Sequence, residues 1–97
     1  MKEIIERSKK IRSQYHKLEV AHHGSEWSLE EDALAFLTDA GLVGRNIMSH
    51  QKRWPKDHTD KELKHKLGEC FWWLIVLADR LELKPEEVIN DFLDSKF

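Results

Sequence analysis

The chain has 97 residues, 40% of them apolar and 35% charged, which is enough for one small domain spanning residues 1–97. Sixteen Lys and Arg against eighteen Asp and Glu leave a net charge of −2, which argues against a general nucleic-acid binder. The single cysteine, Cys70, excludes an internal disulfide and a cysteine-built zinc site, and no apolar run reaches the ~18 residues of a membrane span.

Met1 to Glu6 carries acids and has no apolar signal core, so the expected setting is cytoplasmic and reducing. Four Gly, two Pro and no β-branched runs favour an all-α fold. The spacing predicts four helices. The first runs from about Lys2 to Val20, with Ile4, Ile5, Ile11, Tyr15 and Leu18 at helical intervals, and Gly24 as its stop. The second starts at Ser28, where Ser28-Leu29-Glu30-Glu31 reads as a capping box, and runs to about His50. Phe36, Ala40, Val43 and Ile47 mark its buried stripe, while Gly41 and Gly44 inside it suggest close approach of another helix or a ligand.

Gln51 to His58 is a polar loop. Thr59-Asp60-Lys61-Glu62 repeats the capping-box pattern and opens the third helix. Its stripe is Leu63, Leu67, Cys70, Phe71, Leu74, Leu77, Ala78 and Leu81, and the segment Phe71 to Ala78 is apolar on every side. A domain this small rarely covers such a helix alone, so a homo-oligomer, dimer or tetramer, is expected through Phe71–Ala78. Pro85 and Glu86-Glu87 suit the first turn of a fourth helix, with Val88, Ile89, Phe92 and Leu93 on its apolar face.

Asp39 shares a helix face with Phe36 and Val43, and Glu69 lies near Trp73 and Val76. A buried carboxylate is costly unless it is paired or holds a metal. Glu30, Glu31, Asp32, Asp60, Glu62 and Asp79 read as solvated or capping acids. His65 and Glu69 are one turn apart, a spacing at which imidazole and carboxylate can share a transition metal, and His22, His23 and His58 read as loop residues facing solvent. Arg45, Lys52 and Arg53 can meet phosphates, with Trp54 among them to stack on a base; the plainer reading is a basic loop held by Trp54. Cys70 reads as a packed thiol.

Three stretches, WSLEEDALAFLTDAGLVGRNI, RWP and LKHKLGECFWWLIVLADRLELKPEEVINDFL, resemble the MazG-like nucleotide pyrophosphohydrolases. The resemblance runs from Trp27 to about Phe92, about two-thirds of the chain. Its most specific frame is Leu67-Gly68-Glu69, Trp72-Trp73, Leu77-Ala78-Asp79-Arg80-Leu81-Glu82-Leu83 and Glu86-Glu87, against a family pattern of Leu-Gly-Asp or Leu-Ala-Asp, an aromatic pair, Leu-Ala-Asp-Arg-Leu-Gly-Ile and a Glu-Glu-initiated final helix. The resemblance implies a four-helix, MazG-like bundle completed by oligomerisation. It implies hydrolysis of a nucleoside triphosphate to monophosphate and pyrophosphate, with Mg²⁺ or Mn²⁺ held by Glu-x-x-Glu and Glu-x-x-Asp motifs. Carried over residue by residue, the leading acid of the first motif is Asp39 and the second is Leu42; in the second motif the leading position is Lys66 and the trailing acid is Glu69. Two ligands of four are therefore replaced.

If hydrolysis occurs, Asp39 and Glu69 are its catalytic and metal-holding residues. The alternative is a non-catalytic module of the same fold that binds a nucleotide or oligomerises, with the Lys66 ammonium standing where the metal would be. No membrane or nucleic-acid partner is expected, and a helical DNA-binding protein lacks its clustered recognition cations here.

Overall fold

Four helices carry the chain in the computed structural model, which describes residues 1–96: α1 (Lys2–His23), α2 (Leu29–His50), α3 (Thr59–Arg80) and α4 (Pro85–Asp94). The described residues contain no strand, and no helix among them is long and apolar enough to cross a membrane.

Local chemistry sets most helix ends. Gly24 closes α1 in the left-handed conformation at φ 79°, its N–H donating to Val20 O. At α2 the capping box is complete: the Glu31 amide donates to Ser28 Oγ at 3.1 Å, and the Ser28 amide donates to Glu31 Oε1 at 2.9 Å. Pro85 occupies the first turn of α4, where its missing N–H costs nothing.

The second expected capping box is not formed. The cap of α3 is His58, left-handed at φ 59°, and its side chain makes no capping bond. Thr59 Oγ1 donates to Lys56 O and lies 2.6 Å from Ser49 Oγ, while Glu62 pairs with the Lys56 ammonium. The sequence motif is intact, but stronger partners across the turn take both of its side chains.

α2 and α3 form an antiparallel hairpin. Asp32 meets Arg80, Asp39 meets Trp73 and Lys66, and Ser49 meets Thr59, so the contacts run in opposite order along the two helices. Arg45 closes the connecting loop, donating to Trp54 O at 2.7 Å with its guanidinium 3.6 Å from the Trp54 ring centre. α1 lies along one flank of the hairpin. There Trp72 Nε1 donates to Ser8 O at 3.3 Å, Tyr15 stacks obliquely on Trp72, and Lys9 pairs with Asp79.

The apolar stripes do not form the core within one chain. Among the described residues the only buried apolar side chains are Trp73, Val76 and Ala78. The inward faces are polar instead: Ser8, Arg12 and Glu19 on α1, and Asp32, Asp39, Asn46 and Ser49 on α2. Ile4, Ile11, Tyr15 and Leu18 are exposed, and on α3 Phe71 is 70% and Leu74 51% exposed. Gly41 and Gly44 meet no close neighbour, with nothing within 4 Å of a Cβ built at either, so no helix of the chain explains them.

The resulting shape is open. The radius of gyration is 15.6 Å, against about 12.5 Å for a compact domain of this length. The accessible surface is 7664 Å², against about 5,800 Å² for a folded monomer of this mass.

After α3 the chain turns at Glu82, left-handed at φ 60°, with the Leu83 amide donating to Ala78 O at 2.8 Å. This is the C′ position of a Schellman turn, where a Cβ is strained. Glu82→Gly is expected to stabilise the fold by about 0.5–1 kcal/mol, read as a raised urea midpoint with an unchanged slope.

Candidate functional site

Two charged clusters lie between the helices. The larger was not anticipated from the sequence. Asp32, read there as a solvated acid, is 0% exposed. It accepts from Arg12 Nη2 at 2.8 Å, Arg12 Nε at 3.3 Å and Arg80 Nη1 at 2.8 Å. The other edge of the Arg12 guanidinium grips Glu19, with bonds of 2.7 and 3.1 Å, and Glu19 Oε1 also accepts from the Trp27 amide at 2.7 Å. Arg80 Nη1 further donates to Trp27 O at 2.9 Å. One guanidinium thus ties α1 to the start of α2, and a second ties that point to the end of α3.

Burial alone would raise the Glu19 pKa, but the Arg12 and Trp27 hydrogen bonds outweigh it and hold the carboxyl below its ordinary value. Burial likewise pushes Arg12 down, and its two carboxylates more than reverse this. The signal available in the sequence was the spacing of Ser8, Arg12 and Glu19, which share one helical face.

The second cluster contains Asp39 and Glu69. The Lys66 ammonium lies 3.1 Å from Asp39 Oδ1 and 3.0 Å from Glu69 Oε1. Trp73 Nε1 donates to the other Asp39 oxygen at 2.8 Å, and His65 Nε2 lies 3.0 Å from Glu69 Oε1. Asp39 is buried, Lys66 and Glu69 are half-buried, and His65 is exposed. Burial raises the Asp39 pKa, but the Trp73 and Lys66 hydrogen bonds dominate and the net direction is down. The Glu69 hydrogen bond, opposed by burial and helped by Asp39, holds Lys66 above its usual range. Burial, then the charges of Asp39 and Glu69, push the neighbouring Cys70 thiol up, away from nucleophilic chemistry.

The other residues singled out in the sequence do not join this cluster. Leu42 is exposed and contributes only its carbonyl, to Asn46 Nδ2 at 2.9 Å. Arg45 and Trp54 are engaged with each other. Lys52 and Arg53 are exposed in the loop, at least about 16 Å of helix rise beyond Asp39.

Among the described residues no group of three or more His, Cys, Asp or Glu is arranged to hold a metal ion. Mg²⁺ requires oxygen ligands at about 2.1 Å in near-octahedral array. Two carboxylates with an ammonium already seated between them do not fit that requirement. Compared with protein families, characterised proteins and solved structures, the chain matches none.

Two outcomes follow for stability. Arg12→Met strands Asp32 and Glu19 inside the protein and is expected to cost about 3–5 kcal/mol, whereas Lys9→Met at the exposed Asp79 pair stays within about 0.5 kcal/mol, both by urea denaturation. The lowered pKa values of Asp39 and Glu19 mean that the folded state binds fewer protons than the unfolded chain. Their contribution is complete above the ordinary carboxylate range near pH 4 and is lost as pH falls through the depressed folded values, so urea midpoints should decline progressively below about pH 5.

Proposed function

We propose that this chain is a MazG-like helical protein, related to the nucleoside triphosphate pyrophosphohydrolases, that works as a non-hydrolytic, self-associating module. The observation that carries this reading is the surplus of exposed surface, about 1,900 Å² above that of a folded monomer of this mass. An interface of that scale per subunit belongs to an obligate homodimer or larger assembly.

The geometry also supports a location for the interface. At 100° per residue, Phe36, Val43 and Ile47 of α2 and Leu67, Phe71, Leu74 and Leu81 of α3 project to the same flank of the hairpin, opposite α1. Those seven residues form one apolar face across two helices. A second hairpin laid against it completes a four-helix bundle, which is also the assembly that the family resemblance implies.

Hydrolysis is absent from this reading because Asp39 and Glu69 neutralise Lys66 rather than offering open coordination positions. Weak turnover at those two residues is the second reading, favoured by their convergence on one point between α2 and α3. A nucleotide without metal remains a ligand consistent with the first reading.

Sedimentation velocity at tens of micromolar should show a dimer or tetramer, and Phe71→Asp should sediment as a monomer; a monomeric unaltered chain would overturn the proposal. In the same preparations, incubation of nucleoside triphosphates with Mn²⁺ should release no pyrophosphate above the rate of Asp39→Asn. Release that this substitution abolishes would install the second reading instead.

A further inference from the structure

We infer that the cleft between α1 and α3 binds a small hydroxy-carboxylic acid, with Arg80 taking the carboxylate, His16 the hydroxyl, and Ile75 and Val76 the carbon skeleton. The cleft is lined by Ser8, Ser13 and His16 on α1 and by Ile75, Val76 and Arg80 on α3, and its volume is about 210 Å³. A water molecule occupies about 30 Å³ of liquid, so a ligand of several heavy atoms has room. Arg80 is about 16 Å of helix rise beyond Glu69, so the cleft is separate from the Lys66 cluster. It also lies on the α1 side of the hairpin, away from the flank proposed for self-association.

Arg80 is anchored on one side and unengaged on the other. Its Nη1 uses both hydrogens, donating to Asp32 Oδ2 at 2.8 Å and to Trp27 O at 2.9 Å. Its Nε and Nη2 meet no acceptor among the described residues. Those two nitrogens form the side edge of the guanidinium fork, which matches a carboxylate through two parallel hydrogen bonds. Because Asp32 and Trp27 already fix the group, little side-chain freedom is lost when a ligand joins it.

His16 is the second unengaged group. Its Nδ1 faces Glu26 Oε2 at 3.6 Å, while its Nε2 is enclosed without a hydrogen-bond partner. Buried polar atoms are ordinarily paired, so an orphaned imidazole nitrogen beside a cleft points to a ligand atom. A hydroxyl suits Nε2 in either protonation state, since it donates to the neutral ring and accepts from the charged one; a bare carboxylate oxygen suits only the charged ring. The charge count narrows the ligand further. Lys9 is matched by Asp79, Arg12 and Arg80 are matched by Glu19 and Asp32, and Glu26 stands beside His16. With no surplus of positive charge, the cleft favours one negative charge on the ligand over two. Ile75 and Val76 give the remaining wall an apolar surface, which suits carbon and not a bare inorganic oxyanion.

NMR titrations of the ¹⁵N-labelled chain at fixed ionic strength test this, with lactate, glycerate, propionate and sulfate as probes. Lactate or glycerate should shift the Arg80 Nε–H and the His16 amide signals saturably. Propionate, which keeps the carboxylate and loses the hydroxyl, should bind about tenfold more weakly, and sulfate more weakly still. His16→Asn keeps a polar group near Glu26 and deletes Nε2; it should reduce lactate to the affinity of propionate and leave propionate unchanged. His16→Gln, which returns a polar atom near the Nε2 position, should restore part of the preference. Arg80→Lys keeps a cation for Asp32 without the fork and should abolish binding of all the carboxylates; should it fail to fold, the His16 pair carries the test alone. Neither hydroxy acid binding, equal affinity for lactate and propionate, or sulfate binding more tightly than both would overturn the inference.

Discussion

A guanidinium buried between two carboxylates is the constraint on which the rest of the structure depends. Arg12 is 5% exposed and Asp32 is completely enclosed, so neither can fall back on water if the geometry slips. Desolvating such groups costs several kcal/mol each, and the cost is recovered only when every lone pair and N–H finds a partner. Here Asp32 accepts three hydrogen bonds and Glu19 three. The network therefore acts as a register pin: it fixes α1 against the first turns of α2, and through Arg80 it fixes the last turn of α3 against the same point. An apolar contact would tolerate a slide of one residue; a forked, bidentate pair does not.

This inner polarity forces the apolar residues elsewhere. α1 and α2 each turn a buried polar face inward, whereas the buried side chains of α3 are Trp73, Val76 and Ala78. On α1 the inward positions are Ser8, Arg12 and Glu19, and the stripe beside them is Ile11, Tyr15 and Leu18. On α3, Lys66, Glu69 and Trp73 look inward while Leu67, Phe71 and Leu74 look out. With Trp73, Val76 and Ala78 as the buried apolar side chains among the described residues, one chain leaves large apolar residues such as Leu37, Phe71 and Leu74 open to solvent. Self-association would join the surplus surface to the stability of the fold, making the two inseparable in solution.

What the sequence made legible divides along the same line. Helix existence and most ends were readable because their causes lie within a few residues: Ser28 with Glu31, Gly24 at its left-handed turn, and Pro85 before two acids. The position of each stripe was readable from the period of 3.6. Which side of the stripe faces the chain's own interior was not, because hydrophobicity ranks the apolar side as the inside and ion pairs across helices carry no local mark. Asp32 shows the difficulty: it follows two exposed acids in a first turn, where a solvated carboxylate is the ordinary reading, and its partners are 20 and 48 residues away. Thr59 failed for a different reason, since its motif was correct and a turn closed by Ser49 and Lys56 outcompeted it. The meeting of Asp39 with Glu69 follows from helical spacing once α2 and α3 are antiparallel.

The two charged clusters obey one electrostatic rule with different cations. At Arg12 the cation is rigid, planar and almost fully enclosed; at Lys66 it is a flexible ammonium on a half-buried stem. The first arrangement suits a structural fastening, because its fork geometry admits no substitute ion. The second does not specify its cation through shape. Two carboxylates converging near an ammonium are satisfied by any centre of positive charge that fits between them, and only the covalent tether gives Lys66 its advantage, by supplying the charge at high effective concentration and without a free ion to capture. Such a tethered charge holds α2 on α3 whatever ions the solution contains.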